Sequence, residues 1–134
     1  MQLKNFEDFE IWKEARGLSE EIYTLSTTPK FSKDFALRDQ MRRAAVSIMS
    51  NIAEGFERGG NQEFIQFLYI AKGSCGELRC QTYIALDQEY IDQTKAENLL
   101  VILKRLSIMI KHLIDHLKRS ALRGPKYGTS KLSD

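Results

Sequence analysis

The chain has 134 residues, 43% of them hydrophobic and 28% charged, with a formal net charge of +2 at neutral pH. That size supports one domain with its own core, and the balance of apolar and charged residues excludes a disordered or fibrous polymer. No run of about eighteen apolar residues exists, so no membrane-spanning helix is expected.

Met1 to Asp8 turns acidic at once and lacks the apolar stretch of a secretory signal, which predicts a cytoplasmic protein. Asn5 reads as the N-cap of helix one, where Trp12, Ala15, Leu18, Ile22 and Leu25 recur at helical intervals and Lys13, Glu14, Glu20 and Glu21 face elsewhere. The helix runs to about Ser26 and is broken at Thr27-Thr28-Pro29-Lys30, because proline lacks an amide donor and restrains the residue before it.

Ser32 or Asp34 caps helix two. Met41, Ala44, Ala45, Ile48, Ile52 and Phe56 form its apolar stripe, and Arg43, Ser47, Asn51, Glu54 and Arg58 form a polar one. Small residues at Ala44, Ala45, Ser47, Ser50 and Ala53 let a neighbouring helix come close, so the polar stripe needs hydrogen-bonding partners. Arg58-Gly59-Gly60 ends the helix.

Asn61 is the expected cap of helix three, with Glu63 set favourably in its first turn. Phe64, Leu68, Ala71, Cys75, Leu78, Thr82 and Ala85 make one face, while Ile65, Tyr69, Tyr83 and Leu86 add a second. Gly73 and Gly76 each cost about 1 kcal/mol inside a helix, which predicts a close backbone crossing there. Cys75 and Cys80 point roughly 140° apart around the axis and cannot readily bond to each other; buried reduced thiols are expected.

Helix four starts near Asp92, and Leu99, Leu103, Leu106, Ile110, Leu113 and Leu117 alternate by four and three along a packed seam. Leu100, Ile102, Ile108, Met109 and Ile114 lie off that seam as a second apolar surface. Gly124-Pro125 ends order, so the expected division is a bundle domain over 1–123 and a flexible tail over 124–134. Short connections place successive helices antiparallel, giving an all-α, up-down-up-down four-helix bundle. Its surplus apolar surface predicts self-association.

Charge is distributed unevenly. Residues 1–98 hold 12 Lys/Arg against 16 Asp/Glu, and residues 99–134 hold 8 against 2. An acidic body with a basic last third suggests a polyanionic partner, unless the basic residues simply form a solvated face.

No reaction centre accompanies these elements. His112 and His116 have metal-compatible spacing, but two ligands do not close a zinc site. Pairing helix three with helix four sets His112 level with Tyr69, and Cys75 then lies roughly 6–9 Å further along the bundle. No Glu-x-x-His motif for a di-iron bundle occurs. Gly73-Ser74-Cys75-Gly76 lacks a nucleophile-elbow pattern, and Gly55, Gly59 and Gly60 fit helix termination better than phosphate binding. Glu54 and Glu77 read as ion-pair partners for Arg42, Arg43, Arg58 or Arg79. No catalytic activity, cofactor or metal is expected.

Three segments in order carry a family likeness: Phe6-Glu7-Asp8-Phe9-Glu10-Ile11-Trp12-Lys13-Glu14-Ala15; the run from Gln40-Met41-Arg42-Arg43-Ala44-Ala45 through Ser47 and Asn51 to Ala53-Glu54-Gly55; and Glu63-Phe64-Ile65-Gln66-Phe67-Leu68-Tyr69-Ile70-Ala71-Lys72-Gly73-Ser74. Over about residues 6–120 the chain closely resembles the bacterial four-helix bundle proteins, also called the ribosomal RNA intervening-sequence protein family. Members are often encoded within insertions in large-subunit ribosomal RNA genes. The resemblance implies a homopentamer, similar to the accessory variability determinant of diversity-generating retroelements, which binds nucleic acid and a reverse transcriptase through a basic surface. Met49 stands where many relatives carry proline, so a straighter helix two is expected.

Together, the late basic excess and the resemblance point to an oligomeric accessory protein that binds RNA or DNA. Lys104, Arg105, Lys111, Lys118, Arg119, Arg123 and Lys126 are the expected phosphate contacts, and Arg42 and Arg43 could join them. The competing expectation is a scaffold that recruits a nucleic-acid enzyme such as a reverse transcriptase. Tyr69, Tyr83, Tyr90 and Trp12 are its aromatic anchors, provided that they are exposed.

Overall fold

A computed structural model describes residues 3–123. Every regular element among them is helical: a 3-10 turn Phe6–Asp8, then α1 Glu10–Leu25, α2 Pro29–Ser32, α3 Phe35–Glu57, α4 Asn61–Asp87 and α5 Gln93–Arg123. The tail expected over 124–134 lies outside the described residues. The expected helical bundle is present with one helix more than the periodicity predicts.

That extra helix sits in the expected break. Pro29 opens it at a position where no amide donor is needed, and Phe31, at 1% exposure, drops into the core. Helix one also starts later than expected. Asp8 Oδ2 accepts hydrogen bonds from the amides of Lys4 (3.1 Å) and Asn5 (3.0 Å), which closes a separate turn. Phe9 then leaves helical geometry at φ −76°, ψ 132° and sets its ring against Phe56 and Phe64 at 5.3 and 5.8 Å. Filling that aromatic corner outweighs continuing the helix.

Between the two candidate caps of α3, the choice falls on Asp34, whose Oδ1 accepts from the Leu37 amide at 3.1 Å. The helix runs unbroken through Met49 and ends where Gly59 adopts φ +87°. Asn61 is not a cap. Gly60 holds that position, and Asn61 is buried in the first turn of α4, with Nδ2 donating to the Leu117 carbonyl at 3.5 Å.

Contacts along the chain fix how the ends meet. The start of α1 meets the end of α3 through Phe9 and Phe56, and the end of α1 meets α3 through Ser26 and Arg42. Ser47 and Ser74 join the middles of α3 and α4 at 2.8 Å. The α4–α5 turn closes without glycine: Glu89 takes φ 62°, and the Ala85 carbonyl accepts from the Tyr90 amide at 2.9 Å. The core is built from the expected stripes of α3, α4 and α5, with Ile114 fully buried where Leu113 was expected and Leu113 only half-buried.

Glycine positions required the largest correction. Gly73 and Gly76 are exposed, and a Cβ on either would meet nothing within 4 Å. The tight crossing lies at Gly55, where an added Cβ would come 2.6 Å from Phe67 Cβ and 3.0 Å from the Phe64 ring. A glycine expected to end α3 therefore serves instead to bring α3 against α4.

Candidate nucleic-acid interface

Residues seven apart on a helix are nearly two full turns apart, so Lys104, Lys111 and Lys118 form one exposed row along α5, spaced at about 10 Å. The row lies beside α4. Lys118 Nζ donates to Tyr69 Oη at 2.7 Å. In antiparallel packing, the fourteen residues from Lys118 back to Lys104 match the fourteen from Tyr69 to Tyr83. Tyr83, 53% exposed, therefore stands level with Lys104.

The cations differ in how far they are already engaged. Lys104 has no hydrogen bond or ion pair with a described residue. Lys111 Nζ bonds Asp115 Oδ1 at 2.6 Å, which raises the lysine's pKa; the same bond lowers that of Asp115, aided by the charges of Lys111, Lys118 and Arg119. One carboxylate thus sits in a field of several cations. Arg119 is exposed on a neighbouring strip of the same turns and has no hydrogen bond or ion pair with a described residue.

Arg105 is separated from this group. Its guanidinium pairs with Glu14 of α1, on the opposite flank of α5. The side chain of Arg123 and all of Lys126 lie outside the described residues. Of the seven expected phosphate-binding cations, one row of three shares a face with exposed tyrosines; Arg119 borders it and Arg105 turns away.

Sequence reasoning missed the α4 half of this face. Tyr69, Lys72, Gly76, Arg79 and Tyr83 are spaced by three, four, three and four residues, so they share one strip of the helix. Arg79 carries a buried Nε without a hydrogen-bond partner and makes no ion pair with Glu54 or Glu77. Lys72 and Arg79 lie close enough to Cys75 to act on its thiol, yet burial dominates and pushes that pKa up to about 12. The detectable signal was cation and tyrosine alternating at heptad spacing.

Glu54 does pair, with Arg58 at 3.2 Å. Arg42 instead donates from Nε to Ser26 Oγ at 2.8 Å and stacks over Tyr23. Tyr90 is no exposed anchor, since its ring stacks on Phe31 and its hydroxyl donates to Asp34 Oδ2 at 2.9 Å. Trp12 is half-buried against Phe6. Cys80 is exposed, contrary to expectation, while Cys75 is buried. Ser74 is hydrogen-bonded to Ser47, and burial keeps the Cys75 thiol protonated, which is the opposite of an activated thiolate. His112 and His116 line a groove with Phe9, Glu10 and Met109, and no group of three or more metal-ligating side chains occurs among the described residues. None of the described helices is long and apolar enough to cross a membrane.

Comparison with known proteins agrees with this architecture. One solved structure, a protein of unknown function from the S23 ribosomal protein family of Bacteroides thetaiotaomicron, superimposes with a TM-score of 0.70. At 20% identity it covers 78% of this chain and 95% of its own, a likeness of fold alone. No curated protein matches. Residues 7–112 match the family described as 23S rRNA-intervening sequence protein. That span takes in α1 through most of α5, including Lys104 and Lys111, and the chain therefore belongs to the 23S rRNA-intervening sequence protein family.

Proposed function

We propose that the protein is a non-catalytic, oligomeric accessory protein of the cytoplasm that binds single-stranded RNA or DNA across the α4/α5 face. The observation that carries this reading is the juxtaposition of the Lys104–Lys111–Lys118 row with exposed Tyr69 and Tyr83. Ammonium groups at regular spacing suit a phosphate backbone, and tyrosine rings beside them suit unstacked bases of any sequence. In this reading the four long helices run up-down-up-down. Exposed Ile70, Ile84, Val101 and Ile108 are covered by sister copies in a ring, a homopentamer as the family resemblance implies.

Fluorescence anisotropy with a labelled single-stranded RNA tests the reading. Affinity should fall steeply with salt, and replacing Lys104, Lys111 and Lys118 by alanine should lower the log–log slope by about 0.7 for each phosphate no longer neutralised. Unchanged affinity and slope in the triple variant would remove the proposal. Sedimentation velocity tests the ring, which a lone stable subunit would exclude.

The scaffold reading is favoured by a different observation: Phe35, at 64% exposure, lies outside the basic face and provides an apolar anchor for a partner such as a reverse transcriptase. Recovery of one stoichiometric protein partner, insensitive to nuclease and abolished by Phe35→Asp, would support it.

A further inference from the structure

A second cationic feature sits between α1 and α3, apart from the lysine row of the α4/α5 face. Tyr23, Asp39, Arg42, Arg43, Val46 and Ser47 line an open notch of about 500 Å³ between the end of α1 and the first half of α3. Arg42 is fixed there at two points. Its Nε donates to Ser26 Oγ at 2.8 Å, and its guanidinium carbon lies 4.7 Å from the Tyr23 ring centroid. Ser26 is itself buried and donates to the Tyr23 carbonyl at 3.2 Å, so the support for Arg42 is rigid.

This arrangement leaves donors unspent. Neither terminal nitrogen of Arg42 has a hydrogen-bond partner among the described residues. Arg43 is exposed and likewise has no hydrogen bond or ion pair with a described residue. The acid on the rim, Asp39, is taken by Arg38, whose Nε donates to Oδ1 at 2.9 Å. Two guanidiniums therefore line the notch, and the one carboxylate that lines it with them is already paired with Arg38. A planar, pre-oriented guanidinium is the side chain best suited to a phosphate, because it offers parallel N–H donors and stays charged at any working pH.

The notch is larger than a phosphate alone requires, and Val46 and Tyr23 supply an apolar part of its wall beside Asp39 and Ser47. Val46 is 39% exposed and Tyr23 43% exposed, beside the arginines rather than among them. We infer that this notch binds a nucleoside phosphate, with the phosphate on Arg42 and Arg43 and the base against Val46 and the Tyr23 ring. The ligand is either a free nucleotide or one unstacked nucleotide of a strand; the chemistry recognised is the same. The site does not depend on the α4/α5 face and stands even where that reading fails.

Calorimetric titration of the full chain with adenosine monophosphate, inorganic phosphate and a mixed-sequence single-stranded RNA tests the assignment. Adenosine monophosphate should bind at least about tenfold more tightly than phosphate, given the added base contact. Arg43→Ala should weaken it by about tenfold through loss of a charge-assisted pair. Val46→Asp, which places an anion in the notch, should abolish binding. Both positions are exposed, so circular dichroism of these variants should match the parent. Arg42→Lys keeps the charge but loses the planar fork, and it too should weaken binding.

Binding of the RNA that is lost together with mononucleotide binding in Arg43→Ala and Val46→Asp would show that the notch receives a nucleotide of the strand. RNA binding that persists in them would assign the notch to free nucleotide. Equal affinity for phosphate and adenosine monophosphate would overturn the inference, as would mononucleotide binding that survives both variants. Repeating the titration with Lys104, Lys111 and Lys118 replaced by alanine separates the two sites. Mononucleotide binding retained in that background supports the notch, whereas binding lost there and untouched by Arg43→Ala overturns it and leaves the α4/α5 face standing.

Discussion

The two faces of α4 differ in almost everything except their tolerance of small residues. Its inner face buries Phe64, Leu68, Ala71, Cys75 and Leu78 and meets α3 so closely at Gly55 that no Cβ fits without movement. Its outer face carries Gly73, Gly76, Cys80, Tyr69 and Tyr83, with open space over both glycines. A helical glycine therefore marks a close approach only when a neighbouring helix lies on its own side of the axis. The outer face mixes tyrosines, small residues and the flanking cations Lys72 and Arg79 without being packed, and that is the surface left for strands or sister copies.

The largest expected contrast is chemical. At pH 7–8 the Cys75 thiol, pushed up to about 12 by burial, holds roughly 10³-fold less thiolate than an ordinary cysteine, whereas Cys80 is solvent-exposed. Iodoacetamide followed by peptide mass mapping should modify Cys80 in the native protein and reach Cys75 only after denaturation. Equal labelling of both would mean that the inner face is not closed.

Next comes the tight crossing. Gly55→Ala should destabilise the fold by about 1–3 kcal/mol, because the Phe67 Cβ is anchored to its backbone and cannot retreat as a flexible side-chain end would. Urea unfolding measures it, and a neutral result would show that α3 and α4 can separate at no cost.

On the outer face the sign reverses. Gly73→Ala and Gly76→Ala should each stabilise the subunit by about 0.5–1 kcal/mol through helix propensity alone. If a sister copy crosses closely at these glycines, the same variants weaken assembly in sedimentation while the subunit gains stability. A loss of subunit stability would contradict the open space over this face.

The smallest effect concerns Asp115. Its folded pKa is lowered, chiefly by the hydrogen bond from Lys111, so its contribution is present above the ordinary carboxylate pKa and is lost as pH falls through the folded value. Asp115→Asn should flatten the acid limb of a melting-temperature profile slightly and leave neutral pH almost unchanged, as expected for an exposed pair. A large loss at neutral pH would imply that the pair is more deeply engaged than its exposure indicates.

Much of this architecture was readable residue by residue. The stripe from Met41 to Phe56 and the seam from Leu99 to Leu117 had to be buried somewhere, since apolar side chains at three- and four-residue spacing have one common side. Asp34 caps an amide three residues along through its carboxylate and Gly59 turns its own backbone, so their roles were legible too. Glu89 was not, because nothing marks a glutamate for a left-handed turn until the Tyr90–Asp34 and Phe31 contacts demand that path. The candidate interface was half legible. The lysines of α5 stood out by charge, but Lys72 and Arg79 lie in a locally mixed stretch, and only the pairing of Tyr69 with Lys118 aligns the two rows.

By itself the sequence determined the four long helices, which side of each is oily and about where each must stop, because periodicity, capping and proline act within a few residues of one another. The tertiary structure alone decided that Gly55 is the point of contact while Gly73 and Gly76 stay open, that Arg105 turns to Glu14 and away from its basic neighbours, and that Arg42 locks onto Tyr23 and Ser26. Each of these depends on which helix lies opposite and at what height, a relation between distant segments that short-range physics along the chain does not contain.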